Sequence, residues 1–321
     1  MIRIVKIVVA VAATLVVSFA PQPALADDQK SILITGASTG IGRHLAETLA
    51  AEGHHVYAGA RKEKDLAELD AIDNITAVKL DVTKQDEVDA AVAMIREKGT
   101  GLYGLVNNAG VGGGGTVVET PIDDQSFVYR VNVEGVYRMT QAFAPLIIES
   151  KGRIATTGSI AGTISAFPGF SAYSGSKHWI EAYTDGLASE LEPLGVWVSV
   201  IEPGNYKSNI RRSSMARGME QAKAAGVEIT DEMKAAYEAT AERELSMKEP
   251  EDVSRAFLHA LFSDEPLRRY VVVPDESEQD LTIRTKVVEL VQLNAWGPYS
   301  YNRDELIRML DEAMAGETPE E

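Results

Sequence analysis

The chain has 321 residues, of which 31 are Lys or Arg and 48 are Asp or Glu, and its net charge of -17 argues against nucleic acid or an anionic membrane surface as partner. It has no cysteine, which excludes thiol nucleophiles, thiolate metal sites and disulfides, and its five histidines (His44, His54, His55, His178, His259) show no metal-ligand spacing. With 45% apolar residues, the length suits one main α/β domain of roughly 250 residues with appendages.

Residues 1–26 read as an export segment. Arg3 and Lys6 give a basic start, Ile7 to Ala20 an apolar run, and Ala24-Leu25-Ala26 a small-x-small cleavage site before Asp27. The expectation is an exported protein, periplasmic or secreted, that begins at Asp27. The alternative is an uncleaved membrane anchor, for which the apolar run falls short of the usual ~20 residues. There is no twin arginine, so export of a folded, cofactor-loaded enzyme is not indicated.

Ser31 to Gly36 forms a short apolar strand that runs into Gly36-Ala-Ser38-Thr-Gly40-Ile41-Gly42 and a helical pattern with Leu45 and Leu49. Glycines at such a turn let the backbone approach a pyrophosphate, whose charge sits at the helix N-terminus. The spacing is G-x-x-x-G-x-G rather than G-x-G-x-x-G. The next strand, His55 to Ala60, completes a β-α-β unit and ends in Arg61-Lys62, where a carboxylate would favour NAD. Arg61 favours NADP(H); NAD(H) stays open, as does a solvated role for this arginine.

Ala77 to Val82 predicts a third strand, with Asp81 at its end to meet adenine or to cap the helix around Val88, Val92 and Ile95. Gly104 to Gly110 gives a fourth strand and opens into a glycine-rich loop, Gly112 to Gly115. The helix predicted from about Pro121 to Ser150 carries Asn132 among valines, where an amide needs partners. A fifth strand, Gly152 to Gly158, puts Ser159 at its carboxyl end.

Tyr173 and Lys177 stand four apart at the head of an apolar-periodic run to Leu191, so they share a helix face. An ammonium there favours the phenolate, and the expectation is a Tyr173 drawn down from its usual ~10. Ser159, Tyr173 and Lys177 would converge on one carbonyl oxygen. A sixth strand, Val196 to Gly204, follows, and residues 205–250 form an Ala-, Glu- and Met-rich excursion suited to a substrate lid. A helix after Pro250 and a strand from Tyr270 to Pro274 close the main domain, residues 27–280. Residues 281–321 are an extension of two amphipathic helices and an acidic tail. The alternation predicts a doubly wound parallel sheet, with ligands at the strands' carboxyl ends.

Thr35 to Gly42, Asp81-Val82, Asn107-Asn108-Ala109-Gly110, Asn132, Ser159, Tyr173-x-x-x-Lys177 and Pro203-Gly204 stand together in one order. With that set the chain resembles the short-chain dehydrogenase/reductase family over about Ser31 to Pro274. The resemblance implies a Rossmann fold with Tyr173 as catalytic acid/base and Ser159 holding the substrate oxygen. It also implies that Lys177 bridges the nicotinamide ribose and Tyr173, and that Asn132 anchors a proton-relay water. Gly36, Ser38, Gly40, Ile41, Gly42, Arg61, Asp81, Val82, Asn108, Ala109, Lys177, Pro203 and Gly204 would line the cofactor. Gly158 departs from the pattern, because many members carry a second serine there.

Val56 to Arg61 and Ile201 to Lys207 look like the branch containing retinol and hydroxysteroid dehydrogenases, which handles apolar alcohols and ketones. The expected protein is therefore an NADP(H)-preferring oxidoreductase acting on a small apolar alcohol or carbonyl. No nucleic acid or metal is expected, a membrane only if the N-terminal segment is retained, and a homo-oligomer is compatible with the pattern. The rival is a catalytically silent NADP(H)-binding sensor on the same fold, against which the intact Ser159, Tyr173, Lys177 and Asn132 argue. A serine hydrolase is disfavoured because Gly158-Ser159-Ile-Ala-Gly162 lacks G-x-S-x-G spacing.

Overall fold

A computed structural model describes residues 29–113, 115–164 and 166–316. The expected export segment, residues 1–26, lies outside the described residues, as does the tail from residue 317. Among the described residues no helix is long and apolar enough to cross a membrane.

The apolar runs form one parallel sheet of seven strands: β1 (Ser31–Ile34), β2 (His55–Ala60), β3 (Ile75–Lys79), β4 (Gly104–Asn107), β5 (Arg153–Thr157), β6 (Trp197–Pro203) and β7 (Arg269–Val272). Their order across the sheet is β3-β2-β1-β4-β5-β6-β7. Strand β1 shows why these runs are continuously apolar. Its alternate residues Ile32 and Ile34 enter one core, and Leu33 enters the other.

The first core is closed by α1 (Gly40–Ala51), through Leu45 and Leu49, together with α2 (Glu63–Asp70) and, later in the chain, α9 (Glu251–Phe262), through Val253 and Phe257. The second is closed by α3 (Gln85–Lys98), α5 (Gly135–Ser150) and α6 (Ser171–Leu191), through Val88, Ile95, Met139, Phe143 and Leu191. The doubly wound class expected from the alternation is what the chain adopts. Strand order reverses between β1 and β4, which opens a crevice at the carboxyl ends of those strands.

Three elements differ from the sequence reading. Strand β3 ends at Lys79 rather than Val82, because its pairing with β2 runs only from Val56↔Ile75 to Ala60↔Lys79. Asp81 lies beyond the ladder and accepts from the Thr83 N–H at 3.0 Å and the Thr83 hydroxyl at 2.7 Å. It therefore braces a turn, and α3 begins later, with Lys84 at its cap. The long helix from Pro121 is broken into α4 (Ile122–Tyr129), a π-helical turn (Arg130–Glu134) and α5, with the Gly135 N–H reaching back five residues to Arg130 O.

Residues 205–250, the stretch expected to serve as a lid, hold α7 (Ile210–Ala224) and α8 (Asp231–Ser246). Beyond it, α10 (Glu276–Leu293) begins five residues before the expected boundary, capped by Asp275, and α11 (Arg303–Met314) follows. Helix α10 is laid down with its polar side inward. Thr282 is buried, and Glu278 bonds the backbone and side chain of Asn205, whereas Leu281, Ile283, Val287, Leu290 and Val291 are exposed.

Candidate active site

Ser159 stands just past β5 in extended backbone and caps the 3₁₀ turn Ile160–Gly162, its hydroxyl accepting from the Ala161 N–H at 3.1 Å. That turn lies hard against α6. A Cβ on Gly162 would sit 2.6 Å from Lys177 O, so only glycine permits the approach that brings Ser159 and α6 together. Tyr173 lies in the first turn of α6 and is half-buried, and Lys177, one turn later, is buried; Ser159 hydrogen-bonds the Tyr173 side chain.

Lys177 donates from Nζ to Thr157 O at 2.7 Å, and this Nζ stands 5.8 Å from the centroid of the Tyr173 ring. Asn132 belongs to the π turn. Its Oδ1 accepts from the Val111 N–H at 2.9 Å, and its Nδ2 donates to Val111 O and to Ser176 Oγ, each at 3.0 Å. Both amide hydrogens of Asn132 are thereby used to tie the β4 loop to α6. A relay water would have to be held by other atoms, its backbone carbonyl among them.

The expected downward pull on Tyr173 is not what the structure gives. Burial pushes the phenol up from its ordinary value, and the Ser159 hydrogen bond and the Arg211 cation oppose this without reversing it. The four-residue spacing does bring Lys177 near. Its ammonium, however, is aimed at a carbonyl, and burial lowers its own pKa to about 8, with Glu181 opposing. Desolvation outweighs the ion–phenol attraction that the spacing suggested.

The chain provides a fitting cradle for a dinucleotide. Helix α1 starts at Gly40 with Thr39 at its cap; no side chain caps it, and no acidic residue occupies its first turn, so its leading N–H groups are free to face an anion. Gly36 adopts φ +67°, and a Cβ on Gly42 would lie 2.3 Å from Asn108 Nδ2 and 2.5 Å from Gly36 O. The glycines thus serve two ends: they keep the turn open, and they let Asn108 bond Thr35 O at 3.0 Å and Gly36 O at 3.1 Å. Ser38 and Ile41 are part-buried on this same turn.

Ala109 is fixed by its N–H to Thr35 Oγ1 at 2.9 Å. At the far end of the crevice Arg61 is 62% exposed, and its Nη1 lies 3.8 Å from Asp81 Oδ2. Val82 is buried beside Gly135, and its carbonyl accepts from Arg138 at 2.7 Å. Pro203 O lies 3.5 Å from Ser159 Oγ, and Gly204 abuts Glu278. The expected residues therefore lie at or beyond the carboxyl ends of the strands and on the helices that follow them. Arg61 and Asp81 stand at one end of the crevice, and Ser159, Tyr173 and Lys177 at the other.

A cavity of about 290 Å³ opens over Ser159 and Tyr173, walled by Ile160, Ile164, Phe167, Phe170, Ile210 and Met247 and by the polar Asn205, Arg211 and Glu244. A second, of about 330 Å³, lies between α4 and α7 and includes Asp124, Val128 and Arg217 but neither Ser159 nor Tyr173. Sequence reasoning missed Arg211, Glu244, Glu202 and Glu278. Only Glu202 carried a legible mark, as a carboxylate inside an apolar strand.

A family model described as short chain dehydrogenase matches residues 30–218. Mitochondrial D-beta-hydroxybutyrate dehydrogenase of Bos taurus is 40% identical over 214 residues, 64% of this chain and 61% of that protein. The match thus spans less than two thirds of that relative's length. The 17-beta-hydroxysteroid dehydrogenase type 6 of Mus musculus is 34% identical over 258 residues, 75% of this chain and 80% of that one. Among solved structures, a short chain dehydrogenase/reductase from Burkholderia phymatum in complex with NAD superposes with a TM-score of 0.69 at 28% identity, covering 85% of this chain and 99% of that one.

Proposed function

The chain belongs to the short-chain dehydrogenase family, in its hydroxysteroid-dehydrogenase-like kind, and on that footing we propose that it is an NADP-preferring oxidoreductase interconverting an alcohol and a carbonyl on a substrate with an apolar body. The observation that carries this reading is the meeting of the Ser159 hydroxyl and the Tyr173 phenol beneath an apolar-walled cavity, at the end of a crevice that begins with the glycine turn.

Gly36, Gly40, Gly42 and the first turn of α1 would hold the dinucleotide phosphates, Asp81 and Val82 the adenine end, and Lys177 the nicotinamide ribose. Arg61 supports NADP, as an exposed cation at the β2 end where a 2′-phosphate would lie. The bound nicotinamide supplies or takes up the hydride.

In the direction of reduction, Ser159 donates a hydrogen bond to the carbonyl oxygen, and Tyr173, held protonated by burial, gives it the proton. The phenolate left behind lies near the Lys177 ammonium, whose Nζ stands 5.8 Å from the ring centroid; opposite unit charges about 6 Å apart attract by roughly 3 kcal/mol at an effective dielectric constant near 20. The lysine thus stabilises the phenolate only once the proton has left. Oxidation runs the same steps backwards.

Replacing Tyr173 with Phe tests the assignment. It keeps the ring and removes the proton, so kcat should fall below a tenth of wild type, toward the 10²- to 10⁴-fold typical of lost general acid catalysis, with NADPH binding retained. A variant keeping more than about a tenth of kcat would remove Tyr173 from the reaction. NADPH binding without turnover of any carbonyl in a panel would favour the silent sensor.

For the N-terminus we propose export and cleavage after Ala26, on the strength of the basic start, the apolar run and Ala24-Leu25-Ala26. N-terminal sequencing of protein from fractionated native cells decides this. A start at Met1 in soluble cytoplasm would refute export, and a start at Met1 in membranes would establish the anchor.

A further inference from the structure

The cavity over Ser159 and Tyr173 is walled mainly by aliphatic and aromatic side chains, with Asn205 and the carboxylate of Glu244 among its polar residues; Arg211 is its one cation, and its charge acts on the Tyr173 phenol through space. It stands in the first turn of α7, where the positive end of the helix already disfavours a cation and no acidic residue is present. Among the described residues no carboxylate pairs with its guanidinium. The guanidinium donates instead to the neutral Oδ1 of Asn205.

Glu244, buried on α8, does not neutralise it. Its Oε1 accepts the backbone N–H groups of Arg211 at 2.9 Å and Arg212 at 3.3 Å, and its Oε2 lies 3.9 Å from Arg212 Nε. The Glu244 carboxylate is thus taken up by the helix end and by Arg212, and the Arg211 guanidinium is not among its partners. Arg211 is also held from behind. Asn205, which fixes its guanidinium, is itself anchored through backbone N–H and side-chain amide to Glu278 of α10.

We infer that the substrate carries a carboxylate, that Arg211 binds it, and that Arg211 is the residue selecting keto acids and hydroxy acids over neutral ketones and alcohols of the same length. The inference rests on the reading above, that Tyr173 and Ser159 act on a carbonyl in this cavity. A neutral ketone would fill the apolar walls and leave a part-buried guanidinium with no carboxylate bonded to it, whereas a carboxylate matches its planar fork with two charge-assisted hydrogen bonds. The substrate class is then amphiphilic: a hydrocarbon body against Ile160, Ile164 and Phe170, and one anionic group on the lid side.

The test uses the full chain loaded with NADPH and three six-carbon keto acids, 3-, 4- and 5-oxohexanoate, each paired with its methyl ester. Hydrogen bonds between charged partners correspond to roughly a ten- to hundred-fold effect. In wild type, kcat/KM for at least one acid should exceed that of its ester by about that factor. Arg211→Gln should bring the acid-to-ester ratio to near one, and Arg211→Lys should restore part of it.

The ratio is the readout because misfolding or weakened cofactor binding depresses both probes alike. Thermal shift of the NADP-loaded protein with the acids and esters gives the same comparison without turnover. Esters favoured at every spacing, or a ratio unmoved by Arg211→Gln, would overturn the inference while leaving carbonyl reduction standing. An Arg211→Gln effect confined to the KM for NADPH would assign the cation to the cofactor's phosphates and also overturn it. Failure to reduce any carbonyl, acid, ester or neutral, with no thermal shift from the acids, would remove the underlying function together with it.

Discussion

Glu202 is the penultimate residue of β6, between Ile201 and Pro203, and is 1% exposed. Its Oε2 accepts from the Thr163 hydroxyl. Burial first, and then the charge of Glu181, raises its pKa to about 8, with Arg269 and Lys286 opposing. At ~1.4 kcal/mol per pH unit, a carboxyl held protonated from its ordinary 4.5 up to about 8 implies at most about 5 kcal/mol against the carboxylate. Relaxation and water entry around a buried ion reduce what is realised, and we expect roughly 2 kcal/mol.

The native state holds this proton across a range where the unfolded chain has released it. The stabilisation is therefore complete below about pH 4.5 and is lost as the pH rises to about 8. Glu202→Gln keeps the shape and the Thr163 contact and removes the titration. Urea unfolding of both proteins at about pH 5, 7 and 9 should show the Gln variant gaining roughly 2 kcal/mol relative to wild type between the first and the last. Groups that titrate alike in both proteins cancel from that difference. A gap constant to within about 0.5 kcal/mol, or a wild type that gains on the variant with rising pH, would show that Glu202 is ionised in the folded protein and the reasoning wrong.

Two further substitutions address the cofactor crevice. Arg61→Asp should lower the NADPH-to-NADH ratio of kcat/KM by at least about ten-fold and turn the preference, by removing a charge-assisted phosphate contact and adding repulsion; an unchanged ratio would place selectivity elsewhere. Gly42→Ala pushes a methyl into Asn108 and the Gly36 carbonyl, so we expect a loss of roughly 1–3 kcal/mol in stability together with weaker dinucleotide binding. Fluorescence titration with NADPH checks the second effect, and wild-type affinity in this variant would mean that the turn does not shape the phosphate site.

The sheet was legible because each strand is a short, doubly buried apolar run, and the site residues were legible because a doubly wound fold puts ligands at strand ends. Ser159, Tyr173 and the glycine turn sit where that logic places them. The direction of the Tyr173 shift was not legible. Spacing along a helix reports neighbours on one face, whereas the phenol's environment is set by burial and by a lysine turned toward Thr157 O. Arg211, Asn205 and Glu278 escaped for another reason. The Asn205–Glu278 contact closes over 73 residues and joins the lid to α10, and no local pattern encodes that. The inverted packing of α10 was likewise hidden, because amphipathic periodicity shows that a helix has two sides but not which one the fold will cover.

The π turn at Arg130–Glu134 has a consequence for how insertions and deletions act on this chain. Its extra residue could be excised to give a regular helix, at a gain of about one ordinary backbone hydrogen bond, roughly 1 kcal/mol. Excision would also rotate everything after it by about 100°, carrying Met139, Phe143 and Ile147 out of the core, each worth roughly 1.5–3 kcal/mol in burial. The irregularity is therefore enforced by side chains up to four turns further along, and the residues within it are free to vary without straightening the helix. The aim of Asn132 at Val111 and Ser176 is an inherited position, set by how α5 seats against the sheet.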